Sequence, residues 1–213
     1  MTTLLLVRHG ESEANRLGFF AGQTDVELLE KGALQAGITG EYIAKNYKVE
    51  RVYASDLVRA RKTGEIIAEK TNSELVTDRR LREINAGVWQ GKTFDELTAN
   101  YSEGYSKWLS DIGNTRCEGG ESVRELSERI CAALTDIAER ESGKTVVIAT
   151  HATPIRTAQC VLGGLPLDEM KNVPWVSNAS VTELQYEGGV WRFVRENECG
   201  FLSELKTSFP ANV

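Results

Sequence analysis

The chain holds only two histidines, and each stands where an apolar run ends. His9 follows Leu4-Leu5-Leu6-Val7-Arg8, and His151 follows Val146-Val147-Ile148-Ala149-Thr150. A neutral imidazole is a competent nucleophile near neutral pH, because histidine titrates at about 6.5. Its attack on a phosphoryl group forms a phosphohistidine and divides one difficult transfer into two easier steps. The transition state spreads negative charge over the phosphoryl oxygens, so fixed positive donors are needed. Arg8 is adjacent, and its planar guanidinium suits bidentate phosphate contact. Gly10 is expected to let the backbone approach a ligand closely. Alone, this motif fits equally a histidine that merely ends a strand.

The second histidine shifts that balance. Parallel strands end on the same side of a sheet, so His9 and His151 can meet although they are far apart in the chain. A protonated His151 is expected to bind the transferring oxygen. Ser55-Asp56-Leu57-Val58-Arg59-Ala60-Arg61-Lys62-Thr63 opens a helix directly after a short strand. A helix N-terminus favours anions. Arg59 and Arg61 fall on different faces, so at most one reaches the site; a solvated basic face accounts for Arg61 and Lys62. Glu83, in Leu81-Arg82-Glu83-Ile84, follows another strand. Near a phosphate its pKa would be raised by repulsion and burial, which suits a general acid. Taken alone, Glu83 reads as a surface carboxylate.

The elements that must position these groups alternate. Strands are expected at Thr3–Val7, Val49–Tyr53, Glu74–Thr77 and Thr145–Thr150. Helices are expected at Leu28–Tyr47, Leu57–Lys70 and Ile155–Leu162, and a clear amphipathic one carries Val123, Leu126, Ile130, Leu134 and Ile137. Glu187-Gly188-Gly189 joins two further strands as a hairpin. The pattern implies an α/β fold: a three-layer αβα sandwich whose mostly parallel sheet has an antiparallel edge. Residues 92–118, with Phe94, Tyr101, Tyr105 and Trp108, break the alternation and read as a small helical insertion over one end of the sheet. Ser203–Val213 reads as a loose tail. One domain spanning 1–213 is expected.

The 213 residues are 41% hydrophobic and 26% charged, an ordinary globular composition. A formal charge of −6 argues against a nucleic-acid partner but leaves room for a small phosphorylated substrate. No stretch is long enough to span a membrane, and the start lacks a signal peptide, so a cytoplasmic location is expected. Cys117, Cys131, Cys160 and Cys199 are widely spaced and read as reduced thiols. Two glycosylation patterns, at Asn100 and Asn178, are taken as chance. Oligomeric state is not readable.

Taken together, the four segments resemble the histidine phosphatase superfamily, with its phosphoglycerate-mutase-like fold. Arg8-His9-Gly10-Glu11-Ser12 with Asn15, Ser55-Asp56-Leu57 with Arg59-Ala60 and Thr63, Leu81-Arg82-Glu83 with Gly87 and Gly91, and Thr150-His151 with Ile155-Arg156 appear in the family's order. The resemblance runs from Leu4 to about Leu184. It implies that His9 is the phosphorylated nucleophile, and that Arg8, Arg59 and His151 form the phosphate pocket with Asn15 and the Ala152 amide as further donors. Glu83 would be the proton donor and then the base for water. Gly22 and Gln23 would lie on the substrate side. No metal or organic cofactor is implied.

The family's mutases usually carry threonine where Ala21 stands, and a longer basic insertion than residues 92–118. Gly119-Gly120-Glu121-Ser122 resembles the phosphatase branch. A phosphomonoester phosphatase is therefore preferred to a phosphoglycerate mutase or a phosphoprotein-binding module. The aromatic insertion, with Phe19 and Phe20, favours an apolar or bulky leaving group. Gly143-Lys144-Thr145 and Gly91-Lys92-Thr93 lack the earlier glycine of a P-loop. A metal between the histidines and Glu83 is disfavoured by the neighbouring Arg8.

Overall fold

The structure is a computed structural model and describes residues 1–207. Its sheet has the strand order β3-β2-β4-β1-β5-β6. These strands are β1 (Thr2–Arg8), β2 (Val49–Ala54), β3 (Glu74–Thr77), β4 (Thr145–Thr150), β5 (Val181–Glu187) and β6 (Val190–Glu198). The first four run parallel; β5 pairs antiparallel with β1 and with β6. This is the expected αβα sandwich with an antiparallel edge.

Period-two alternation explains the layers. Leu4 and Leu6 of β1 join Val146 and Ile148 of β4 against α6 (Val123–Arg140) and α7 (Ala152–Leu162). Leu5 and Val7 join Val52 and Val147 on the other face, against α2 (Glu30–Asn46) and α3 (Val58–Thr71). All eight strand side chains are at most 1% exposed. Each such burial contributes about 1.5–3 kcal/mol. That is why the central strands read as continuous apolar runs rather than alternating ones.

Helix α6 starts at a reciprocal cap: the Ser122 amide donates to Glu125 Oε2 (2.9 Å) and the Glu125 amide to Ser122 Oγ (3.2 Å). Helix α7 begins at Ala152, three residues earlier than expected. Pro154 is its third residue, where a missing N–H costs nothing because first-turn amides have no partner within the helix. A short α1 (Glu13–Leu17), without apolar periodicity, was also not expected.

The insertion is helical, with α4 (Phe94–Asn100) and α5 (Ser102–Ser110). It has an apolar cluster of its own around Trp89, Leu97, Tyr105 and Trp108, continuous with Val123 and Leu126 of α6. The tail differs from expectation. Gly200–Leu205 forms a 3-10 turn, Gln35 Nε2 donates to the Leu205 carbonyl (2.7 Å), and Thr207 Oγ1 donates to Asn178 Oδ1 (2.9 Å). These contacts tie down Ser203–Thr207; residues 208–213 lie outside the described part. No described helix is long and apolar enough to cross a membrane.

Candidate active site

The motifs converge at the carboxyl ends of β1, β2 and β4. The His9 amide donates to the Thr150 carbonyl and the Ser55 amide to the Ala149 carbonyl, both at 2.9 Å, so three chain segments share one ladder end. Thr150 Oγ1 reaches the Leu81 carbonyl (2.7 Å) and holds the Glu83 loop against β4. A cavity of about 90 Å³ opens there. Arg8, His9, Asn15, Arg59, Glu83 and Ala152 line one end.

His9 is 5% exposed, and its Nδ1 lies 2.7 Å from the Gly10 carbonyl. A carbonyl only accepts, so Nδ1 carries the hydrogen and Nε2 keeps the lone pair. Burial, then Arg59 and Arg8, holds His9 well below the usual histidine range. It is therefore neutral at neutral pH. Arg8 donates Nη1 to the Val176 carbonyl (2.7 Å). Arg59 donates to the carbonyls of Thr24 (3.0 Å) and Gly22 (2.7 Å). Burial lowers Arg8 to about 9 and Arg59 to about 10, so both stay charged. Arg61 turns away and pairs with Glu65 (2.5 Å).

His151 is fully buried behind His9, with ring centroids 5.2 Å apart at 62°. Its Nε2 is 2.9 Å from Ser55 Oγ. That oxygen accepts from the Leu57 amide (3.3 Å), and its own hydrogen has no other acceptor among the described residues. The hydroxyl therefore donates to Nε2, and Nδ1 carries the ring hydrogen. Nδ1 has no partner among the described residues. Burial, then Arg59 and His9, keeps His151 well below its usual range. It is thus a neutral imidazole in this structure, with its Nδ1–H beside His9. Ser55, which fixes this, gave no signal in the sequence beyond its place in a motif.

The Glu83 carboxyl takes Ile84 N–H on Oε1 (2.8 Å) and Thr153 N–H on Oε2 (3.4 Å). Burial raises its pKa, and the Ile84 amide and Arg59 offset only part of that. With Thr153 engaged and Pro154 lacking an N–H, Ala152 is the α7 amide left to face a ligand. Arg82 locks the loop by a bidentate pair to Asp56, both contacts 2.6 Å. Arg129 adds bonds to the carbonyls of Arg80 (2.7 Å) and Arg82 (3.0 Å).

Asn15 Oδ1 accepts from the Ser12 amide (3.0 Å), Ser12 Oγ (2.9 Å) and Asn178 Nδ2 (3.2 Å). Three donors on Oδ1 fix the amide's orientation and leave Nδ2 to donate. Asn178 also holds the His9 carbonyl (2.9 Å) and is 3% exposed, so this glycosylation pattern is inside the fold.

Gln23 does not line the cavity: its Nε2 donates to the Glu83 carbonyl (3.1 Å), so it braces the acid loop. Gly22 does line it, with φ +51° and a Cβ position only 2.8 Å from Ala86 Cβ. Gly10 is required by packing, since a Cβ there would stand 2.2 Å from the Gly32 carbonyl oxygen.

The other end of the cavity is aromatic, with Phe19, Phe20, Phe94, Trp108 and Trp175. Trp175 was not anticipated, because it lies in a loop without periodicity. Arg8 and Arg59 are the cations of the lining, and both belong to the polar end.

The model of the histidine phosphatase superfamily (branch 1) matches residues 4–199. Phosphoserine phosphatase 1 of Hydrogenobacter thermophilus is 32% identical over 79% of this chain and 80% of its own length. The probable phosphoglycerate mutase GpmB of Salmonella choleraesuis is 33% identical over 90% of this chain and 88% of its own. The solved structure of Bacillus stearothermophilus YhfR superposes with a TM-score of 0.90 at 30% identity, covering 95% of this chain and all of that one. Matched over nearly its full described length in sequence and in fold, this chain belongs to the histidine phosphatase superfamily.

Proposed function

We propose that the protein is a phosphomonoester hydrolase that works through a phosphohistidine on His9 and needs no metal. The observation that carries this is the His9 ring itself: its Nδ1 hydrogen is fixed on Gly10, its Nε2 lone pair is left free, and burial beside Arg59 and Arg8 keeps it neutral. Nε2 attacks phosphorus, the P–O bond to the leaving group breaks, and Glu83 gives its proton to the departing oxygen. Water then attacks the phosphohistidine while Glu83 takes the water's proton. Inorganic phosphate leaves, and His9 and Glu83 return to their starting states. Arg8, Arg59, the His151 Nδ1–H, Asn15 Nδ2 and the Ala152 amide neutralise the phosphoryl oxygens in both steps. Arg8 and Arg59 already supply the positive charge that a metal ion would bring, and they would repel one.

Phosphatase and mutase names both occur among the relatives. The aromatic leaving-group end favours the phosphatase, because a mutase must hold a small carboxylate-bearing intermediate there during re-transfer. The test is phosphate release from a panel of phosphomonoesters, including 3-phosphoglycerate, with chelator present. Wild type should release phosphate and become labelled on His9 in an acid-labile bond, and His9→Ala should do neither. Full hydrolysis by His9→Ala would overturn the mechanism; interconversion of phosphoglycerates without hydrolysis would favour the mutase.

A further inference from the structure

A second cavity of about 280 Å³ lies against the aromatic end of the first, and Trp108 and Trp175 line both. Arg156 lines the second cavity and is 4% exposed. Its guanidinium carbon sits 3.9 Å over the Trp175 ring. Nε and Nη2 donate to the carbonyls of Val173 and Met170, both at 2.9 Å, and Nη1 makes no hydrogen bond among the described residues. Among the described residues no carboxylate pairs with it. Burial lowers it only to about 10, so it is a cation at neutral pH.

A buried charge without a counter-charge is costly, and proteins normally pair it. Neutral carbonyls and an aromatic face lessen that cost without cancelling the charge. Among the described residues no counter-charge meets Arg156, and the cavity beside it has room for one. Exposed Lys171 lines the same cavity and adds a second cation. Asn172 lines it too and gives one amide hydrogen to Glu169 (2.6 Å), and the buried Trp108 indole N–H makes no hydrogen bond among the described residues, so Arg156 and Lys171 are the charged donors that face a ligand.

We propose that this cavity is a second anion site, in which Arg156 Nη1 and Lys171 hold a carboxylate or phosphate group behind the Trp108–Trp175 partition. The anion then lies across the same two rings from the cavity that His9 lines. Occupancy fixes the wall that the leaving group meets. The site is independent of the phosphatase reading, since binding there requires no turnover.

The test is a titration with inorganic phosphate followed by proton–nitrogen NMR. The Arg156 Nε–H and Trp175 indole signals should shift on one curve, and the Ala152 amide on another. Arg156→Met should abolish the first curve and leave the second. Lys171→Glu, an exposed change that does not threaten folding, should weaken the first about tenfold and spare the second. Stationary Arg156 and Trp175 signals would overturn the proposal, and so would a curve shared with Ala152 in every variant. A second arm identifies the source of the anion. A higher KM in Lys171→Glu for esters ending in a distal acid, but not for uncharged ones, would make the anion the far end of a substrate. An unchanged KM with a weakened phosphate curve would make it a separate small effector.

Discussion

At the scale of single residues, the site separates its two proton-handling groups by environment. Burial and the arginines push His9 down, while burial pushes Glu83 up from the usual 4.5. In the proposed mechanism the active free enzyme needs His9 neutral and Glu83 protonated. The ascending limb of kcat/KM therefore lies below the ordinary histidine range, and the descending limb lies above the ordinary carboxylate range. Activity should fall as Glu83 loses its proton, at a pH above the ordinary carboxylate range. Glu83→Gln should lower kcat by about 10²–10⁴-fold and remove the descending limb. With p-nitrophenyl phosphate, whose leaving group needs little protonation, the variant should release one equivalent of p-nitrophenol and stall as phosphoenzyme. A steady rate without that burst would remove Glu83 from the water-activating step.

The elements hold these residues through contacts that differ in how far sequence exposes them. The central strands and α6 were legible because burial on both faces, or on one stripe, forces an apolar pattern. The ends of those strands located His9 and His151 for the same reason. Ser55 and Asn178 were not legible as site-builders, since they act through partners 96 and 169 positions away and leave no periodic trace. The packing roles of Gln23 and Gly10 were not legible either, because a loop residue can face a ligand or a neighbouring backbone, and only the packing of the 22–24 loop and α2 decides which.

One element contact makes a stability prediction. Glu141 ends α6, is 1% exposed, and accepts from Arg51 (2.6 Å) and Tyr53 (2.8 Å) of β2 and from Lys144 (2.8 Å). Burial pushes its pKa up, but the bonds from Lys144, Tyr53 and Arg51 outweigh that and hold it at about 2. A depressed carboxylate stabilises the fold above its unfolded value of 4.5, and the gain is lost as pH falls toward about 2. Glu141→Gln should cost about 3 kcal/mol at neutral pH. Urea unfolding should show that gap closing between pH 4.5 and about 2. An equal gap at both ends would mean that packing, not charge, makes the contact.

Over the whole molecule, the proposed reading makes the insertion the part that meets whatever carries the phosphate. Phe20 meets Trp89 and Trp108 edge-on, with centroids 5.9 and 5.2 Å apart, and Trp89 meets Tyr105 at 6.1 Å. These contacts join the loop after α1 to α5, so the aromatic wall of the cavity is a packed unit rather than a loose flap. A short leaving group with a carboxylate finds no cation there, because Arg8 and Arg59 belong to the phosphoryl end. An apolar group finds ring faces, and a contact of that size is worth about 1–3 kcal/mol. The comparison must hold leaving-group acidity fixed, so 2-phenylethyl phosphate and phosphoserine, both esters of primary alcohols, are the suitable pair. The phenylethyl ester should have a kcat/KM about 10–100-fold higher. Trp108→Ala should erase most of that advantage by slowing the phenylethyl ester and leaving phosphoserine nearly unchanged. If phosphoserine is the better substrate, or if the variant slows both equally, the wall serves to hold the insertion in place and the leaving group is recognised elsewhere.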